Sequence, residues 1–253
     1  MTTIDLNADI GEGYGRWTLT DDDGLLEIIT SANVACGFHA GDPTIMRAVC
    51  QKAADNGVAI GAHVGYRDVL GFGRRELPTP AEELHVETLY QLGALEAFAR
   101  RAGSRVSYLK PHGSLYHAAS ARPEVAEAIV TAMVAFDPTL VLLGAAGTHM
   151  ETEAARAGIG FASEGFADRA YTDAGTLVPR SQPGAVHHAL DGMLAQVADL
   201  VLHREVTSIT GARVAVEVAS ICFHGDTPGA VTTAAAARAA LVEAGVEIRP
   251  FTA

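Results

Sequence analysis

A chain of 253 residues can bury a substantial core in one large domain, and 49% hydrophobic against 19% charged residues excludes a disordered segment. A net charge of −12, with no basic run longer than a pair, leaves no footprint for nucleic acid or anionic lipid, so an acidic ligand would need a local cationic pocket. No run of ~18 uncharged apolar residues and no signal-peptide pattern is found, which predicts cytoplasmic residence, and Cys36, Cys50 and Cys222 lack CxxC spacing and read as buried thiols rather than a disulfide or zinc framework.

Thr2 to Asp9 alternates as a strand, and Gly11-Glu12-Gly13-Tyr14-Gly15 then opens a loop. An apolar segment over 28–37 ends in Phe38-His39-Ala40-Gly41-Asp42. Asp42-Pro43 combines an N-cap with a proline at the first helical position, starting a helix that reaches Asn56-Gly57. A strand over 58–63 leads into a loop carrying Gly65-Tyr66-Arg67-Asp68 and Gly71-Phe72-Gly73-Arg74-Arg75. Thr79-Pro80-Ala81-Glu82 has capping-box spacing and opens a helix through Leu84, Leu92, Leu95 and Phe98 to Gly103. A strand over 105–109 breaks into a rigid loop, Lys110-Pro111-His112-Gly113-Ser114-Leu115-Tyr116. Helices over 123–135, 148–157 and 183–203 and strands over 140–143, 160–163 and 219–223 follow. Residues 206–218 read as a hairpin or irregular insertion, and Pro228 starts the last helix.

Buried strands alternating with helices, with no linker between them, predict an α/β fold with a parallel sheet and right-handed crossovers. The expected architecture is a seven-stranded parallel β/α barrel, TIM-like, in one domain over 1–253. Asp9, His39, His63, Lys110, His112, Glu164, His224 and Asp226 all fall just after strands, and a barrel gathers such positions on one rim. An open doubly wound sheet would scatter them, and the glycine loop after the first strand does not fit GxGxxG.

Lysine occurs only at 52 and 110, so Lys110, two residues from His112, points to chemistry: it can polarise a carbonyl, hold a carboxylate, stabilise an oxyanion, or simply pair with a rim acid. His39, His63, His112 and His224 sit beside glycines at strand ends, where imidazole can bind metal, relay protons or hold a carbonyl; the histidines at 85, 187, 188 and 203 fall in helical segments. Asp9 and Glu12 are candidates for general base or metal ligand, or for holding loop amides. Asp42 and Asp226 can contact substrate or cap helices. Arg169 can clamp a carboxylate or pair with Asp168, and Arg74-Arg75 reads as a solvated or loop-anchoring pair. No GxSxG motif supports acyl-enzyme chemistry, and no GxxxxGK[ST] loop supports ATP binding in the P-loop manner.

Asp5-Leu6-Asn7 through Gly11-Glu12, Ser31-Ala32-Asn33 through Asp42, Gly61-Ala62-His63, Gly71-Phe72-Gly73-Arg74, Lys110-Pro111-His112-Gly113, Glu164 through Tyr171 and His224-Gly225-Asp226-Thr227-Pro228 together resemble the LamB/YcsF family, nearly end to end. The chain departs from that pattern at Val64, Arg67, Ser114 and His117. The resemblance implies a barrel similar to the glycoside hydrolase/deacetylase superfamily. It also implies ATP-dependent opening of 5-oxo-L-proline to L-glutamate with 5-oxoprolinase subunits B and C (PxpB and PxpC), with ATP entering through those partners. Asp9, Glu12, His39, Lys110, His112, Glu164 and His224 are then the catalytic candidates, Asn33, Asp42, Arg169 and Asp226 the substrate contacts, and Asp9, His63 and His112 the candidate ligands of a divalent metal. A stand-alone metal-dependent amidohydrolase or deacetylase, a non-catalytic lactam-binding subunit, and a homo-oligomer stay open.

Overall fold

The computed structural model describes residues 2–227 and 229–252. The elements run β1 (Thr3–Ile10), α1 (Asp22–Leu26), β2 (Ser31–Ala35), α2 (Pro43–Asp55), β3 (Ala59–Val64), α3 (Ala81–Arg101), β4 (Val106–Pro111), α4 (Gly113–Ala121), α5 (Pro123–Phe136), β5 (Val141–Gly144), α6 (His149–Ala157) and β6 (Gly160–Phe166). Then come α7 (Leu190–Ala198) with a π-helical turn over Asp199–His203, the antiparallel hairpin β7 (Glu205–Thr207) and β8 (Arg213–Ala215), β9 (Ser220–Phe223), α8 (Ala230–Glu243) and β10 (Glu247–Ile248).

Seven parallel strands close a barrel in the order β1-β2-β3-β4-β5-β6-β9, with β9 returning to β1. The hairpin stands outside this ring, as an insertion over 206–218 predicts, so β6 pairs directly with β9. β10 extends β1 at its start, pairing Thr3 and Ile4 while β9 pairs Asp5 to Ala8. Among the described residues no helix is long and apolar enough to cross a membrane.

Alternation along β1 assigns two faces. Leu6, Ala8 and Ile10 join the apolar layer between strands and helices, with Leu25, Leu92, Leu95 and Leu109, all fully buried; each large side chain there contributes about 1.5–3 kcal/mol. Asp5, Asn7 and Asp9 bond across the barrel interior instead. Asn7 Nδ2 donates to Ser220 Oγ at 2.6 Å, Asn33 Nδ2 to Asn7 Oδ1 at 2.7 Å, and Tyr108 OH to Asn33 Oδ1 at 2.8 Å. Residue 61 has to be glycine, since a Cβ there would lie 2.1 Å from the Tyr108 ring.

Burial pushes the Asp5 carboxyl from 3.8 up to about 6, although hydroxyls of Ser220, Ser31 and Thr30 donate to it. The folded chain therefore holds this proton more tightly than the unfolded chain. The resulting stability is complete below about pH 4 and is lost as pH rises through about 6. Asp5→Asn is expected to gain about 3 kcal/mol relative to the wild type between pH 4 and pH 7, read from urea midpoints. A constant difference across that range would show that Asp5 is ionised throughout.

Three local expectations give way. The capping box at Thr79 does not form: α3 starts one residue later, with Pro80 at the N-cap and no side-chain cap, and Glu82 and Glu83 serve the helix dipole instead. The helix predicted over 183–203 begins only at Leu190, because Pro183-Gly184 turns the chain, with Gly184 at φ +78°. The loop after β4 is short: α4 starts at Gly113 directly behind His112. The start at Pro228 lies outside the described residues, and α8 is described from Ala230.

Candidate active site

The carboxyl ends of the strands gather the rim residues as a parallel barrel requires. Asp9, Asn33, His63, Lys110, Glu164 and Cys222 lie in β1, β2, β3, β4, β6 and β9, while Glu12, His39, His112 and His224 follow β1, β2, β4 and β9. His63 pairs in register with Lys110, and alternation puts His112 on the same face as Lys110. Apart from His224, every one of these side chains is buried.

Lys110 is the centre of one half. Its Nζ donates to Asp9 Oδ1 at 2.8 Å and to Cys222 Sγ at 3.1 Å, and lies 2.9 Å from Glu164 Oε1. Burial disfavours the ammonium, but Asp9, Cys222 and Glu164 outweigh it and hold its pKa well above the ordinary lysine range. Burial likewise works against the Asp9 carboxylate, yet His63 and Lys110 hold it well below the usual range. Both Glu164 oxygens and the Tyr116 hydroxyl are buried without an aligned hydrogen bond among the described residues, which leaves polar capacity facing the centre.

The other half is built of imidazoles. His63 Nδ1 meets the Lys110 carbonyl at 3.1 Å and His112 Nε2 the Phe72 carbonyl at 2.8 Å. A carbonyl only accepts, so those nitrogens carry hydrogen, and His63 Nε2 and His112 Nδ1 are the atoms turned inward. These two atoms stand 3.0 Å apart. Glu12 Oε1 lies 3.3 Å from His112 Nδ1, 3.3 Å from His39 Nε2 and 3.7 Å from His63 Nε2, with no aligned hydrogen bond. Burial and the neighbouring His112 push His39 down to about 3, so it is neutral at ordinary pH. Residue 73 must be glycine at φ +61°, because a Cβ would lie 2.7 Å from His112 Cδ2.

This donor set fits a divalent metal. Four of the six separations among Glu12, His39, His63 and His112 are 3.0–3.7 Å, close to the ~3.3 Å edge of a tetrahedron with zinc–ligand bonds of ~2.0–2.1 Å, and all the ligand atoms lie within 4.8 Å of one another. The outer ring nitrogens of His63 and His112 bind carbonyls, as metal-ligating histidines do, while His39 Nδ1 has no hydrogen-bond partner among the described residues. Charge agrees as well: Asp9, Glu12 and Glu164 bring three buried carboxylates against the single ammonium of Lys110, leaving two negative charges. The cluster that could hold a metal shares His63 and His112 with the expected set and adds Glu12 and His39. Gly11, at φ +71°, turns the chain so that Glu12 reaches the imidazoles, and His39 stacks on His112 at 3.8 Å between ring centroids. Asp9 Oδ1 is taken by Lys110 and Asn33, while its Oδ2 lies 3.3 Å from His63 Nε2, beside the cluster.

A third group flanks the Lys110 half. His224 Nδ1 lies 2.8 and 3.0 Å from the two Asp168 oxygens, and Thr227 Oγ1 donates to the same carboxylate at 3.2 Å. Burial would raise the Asp168 pKa, but His224 brings it down to about 2. Asp168 thus fixes the Nδ1–H form of His224 and leaves Nε2 with its lone pair, 3.3 Å from Arg180 Nη2.

The four expected substrate contacts each have partners within the chain. Asn33 spends both amide protons on Asn7 and Asp9 and its oxygen on Tyr108, so it positions Asp9. Asp42 is the N-cap of α2, accepting from the amides of Thr44, Ile45 and Gly15. Arg169 is buried and donates to the carbonyls of Val178 and Ala185, which anchors the 167–189 loop. Asp226 accepts from Arg74, tying the loops after β9 and β3 across the barrel mouth, while Arg75 pairs with Asp68 inside its own loop. Sequence reasoning missed the Asp168–His224 pairing, Tyr116 and Arg180. The first was available from strand order, since β6 and β9 are neighbours with Phe166 opposite Cys222.

A closed parallel barrel with buried ionisable groups at the carboxyl ends of its strands is of the class that carries its chemistry on that rim. The particular lineage follows from sequence. The LamB/YcsF family model matches residues 4–253, and the chain belongs to that family. It is 54% identical over 248 residues to a protein of Nocardia farcinica named as the A component of 5-oxoprolinase, covering 98% of this chain and 99% of that one. A protein of the same name from Streptomyces griseus is 52% identical over 248 residues, with coverage of 98% and 99%. The crystal structure of the lactam utilization protein from Thermus thermophilus superposes with a TM-score of 0.94 at 42% identity, covering 98% of this chain and 100% of that one.

Proposed function

We propose that this chain is the lactam-binding and ring-opening component of a 5-oxoprolinase, converting 5-oxo-L-proline to L-glutamate together with partner subunits B and C (PxpB and PxpC). The observation that carries the reading is Lys110 held between Asp9 and Glu164 beside the imidazole cluster. The names of the relatives, a 5-oxoprolinase component and a lactam utilization protein, supply the substrate.

A lactam is a resonance-stabilised amide. Water adds to the ring carbonyl carbon, negative charge develops on its oxygen, and the carbon–nitrogen bond breaks as the nitrogen takes a proton. In this reading Lys110 meets the developing oxyanion. His224, oriented by Asp168, takes the proton of the attacking water at Nε2 and returns it to the ring nitrogen. Glu164 Oε2, the oxygen not facing Lys110, and the Tyr116 hydroxyl receive the polar edge of the lactam. The loop over 65–75, tied across the mouth through Arg74, excludes bulk water. Glu12, His39, His63 and His112 would hold a divalent metal, which when bound supplies Lewis-acid polarisation and a more acidic water. ATP acts in the partners, which would phosphorylate the lactam oxygen and so activate the ring carbon toward water; the nitrogen then leaves with its proton, and hydrolysis of the resulting glutamyl phosphate releases glutamate and phosphate.

The test is glutamate release from 5-oxoproline by the purified chain, with and without ATP and the two partners, after measuring bound metal. Release only in the complete mixture is expected. Release by the chain alone would favour a stand-alone metal-dependent amidohydrolase, the reading for which the Glu12–His39–His63–His112 cluster speaks. No release under any condition would remove the lactam assignment.

A further inference from the structure

The cations at the barrel mouth are nearly all committed. Lys110 is locked between buried carboxylates, Arg74 is paired with Asp226 and Arg75 with Asp68, and Arg169 gives Nε and Nη2 to loop carbonyls. Arg180 is different. It stands exposed on the 167–189 loop, and among the described residues its guanidinium forms no ion pair; Nη2 faces the lone pair of His224 Nε2 at 3.3 Å. A guanidinium only donates, so the contact fits the tautomer that Asp168 imposes on His224.

The field around Arg180 is positive in a chain of net charge −12. Arg180 adds to burial in holding Arg169 down to about 10, and both arginines add to desolvation in holding the His117 imidazole, on α4, below its ordinary range. Asp168 is the one carboxylate identified in this group; it bonds His224 and Thr227 and its charge offsets one of the two guanidinium groups. The positive charge that Asp168 leaves over, on an exposed guanidinium with no ion pair, is a place for a small anion.

We infer that Arg180 recognises the carboxylate of the substrate, and that in the free protein it caps His224 Nε2 until a substrate carboxylate draws it away. The inference rests on the lactam reading above and assigns to Arg180 the carboxylate that 5-oxoproline carries. A carboxylate accepts two parallel hydrogen bonds from guanidinium, whereas His224 Nε2 accepts one from a neutral ring, so the exchange favours the carboxylate. Substrate recognition thereby exposes the lone pair that the reaction uses. A neutral lactam would leave the cap in place.

The experiment compares 5-oxo-L-proline with 2-pyrrolidinone, the same ring without the carboxylate. Calorimetric binding to the purified wild type is expected to favour the acid by ~30- to 100-fold. Arg180→Met should abolish that preference while leaving 2-pyrrolidinone binding unchanged, and Arg180→Lys should retain part of it. In the assembled complex Arg180→Met should raise KM for 5-oxoproline far more than it lowers kcat at saturation. The ¹⁵N resonance of His224 Nε2 provides a readout independent of affinity: 5-oxoproline moves it in the wild type, and in Arg180→Met it is already displaced without ligand. A preference intact in Arg180→Met overturns the Arg180 assignment and leaves the lactam reading standing. Binding of neither ring by folded wild type overturns both.

Discussion

Lys110→Met is expected to lower turnover by ~10³-fold or more and to destabilise the fold by about 3–5 kcal/mol. The two losses have separate causes. Methionine keeps most of the side-chain volume, so no large cavity forms; what disappears is the charge between Asp9 and Glu164, both buried, which leaves two carboxylates facing one another. Removing one of those carboxylates should therefore restore stability without restoring chemistry. Lys110→Met combined with Glu164→Gln is expected to recover more than half of the lost unfolding free energy and none of the turnover, a coupling that simple addition would miss. Lys110→Arg should fare little better than methionine, since a planar fork cannot replace a compact ammonium within ~3 Å of two carboxylates and a thiol. Denaturant midpoints and kcat in the assembled complex measure the two effects. A folded Lys110→Met protein with kcat within tenfold of wild type would reduce Lys110 to a structural ion pair.

The barrel and its rim were readable because strand ends are marked by chemistry at the level of single residues. Asp9, His63, Lys110 and Glu164 lie in or end short apolar runs bounded by glycine or proline, and closing a parallel sheet leaves them one place to converge. Roles were less readable than positions, because roles depend on which acceptors are already taken. Asn33 has the side chain of a substrate contact, but Asn7, Asp9 and Tyr108 exhaust it, and Tyr108 lies 75 residues away. Glu12 and Asp9 are close in sequence and alike in chemistry; the left-handed turn at Gly11 sends one to the imidazoles while Lys110 captures the other. Short helices failed for a related reason. α4 begins with Gly113 and Ser114, poor helix formers, and forms where the chain leaves Pro111 and His112 and buries Leu115, Tyr116, Ala118 and Ala119. Arg180 gave no local signal, since an isolated arginine in a glycine- and proline-bearing loop looks solvated until His224 is seen beside it.

The second large effect concerns the imidazole cluster, where two occupants compete. Protons could hold it together, with an imidazolium paired to Glu12, or a divalent cation could take the converging lone pairs. Proton occupancy draws nothing from His39, which stays neutral down to about pH 3, and would rest on a hydrogen between His63 Nε2 and His112 Nδ1, 3.0 Å apart. Metal occupancy predicts that protein purified without chelator carries about one divalent ion per chain, zinc being the natural probe for three imidazoles and a carboxylate. Adding zinc to chelator-stripped protein at 100 to 1,000 times Kd should then raise unfolding free energy by about 2.7–4.1 kcal/mol. Glu12→Gln removes the one charged ligand, and zinc affinity should fall by ~10²-fold with most of that stabilisation. In the stripped state the same substitution should cost little or stabilise, because it withdraws a buried carboxylate oxygen that has no aligned donor. Metal analysis, isothermal titration with zinc and melting curves with and without ion measure these outcomes without recourse to turnover. Identical melting of stripped and zinc-treated wild type, with no ion retained, would assign the cluster to protons, and Glu12→Gln would then destabilise the protein at every zinc concentration.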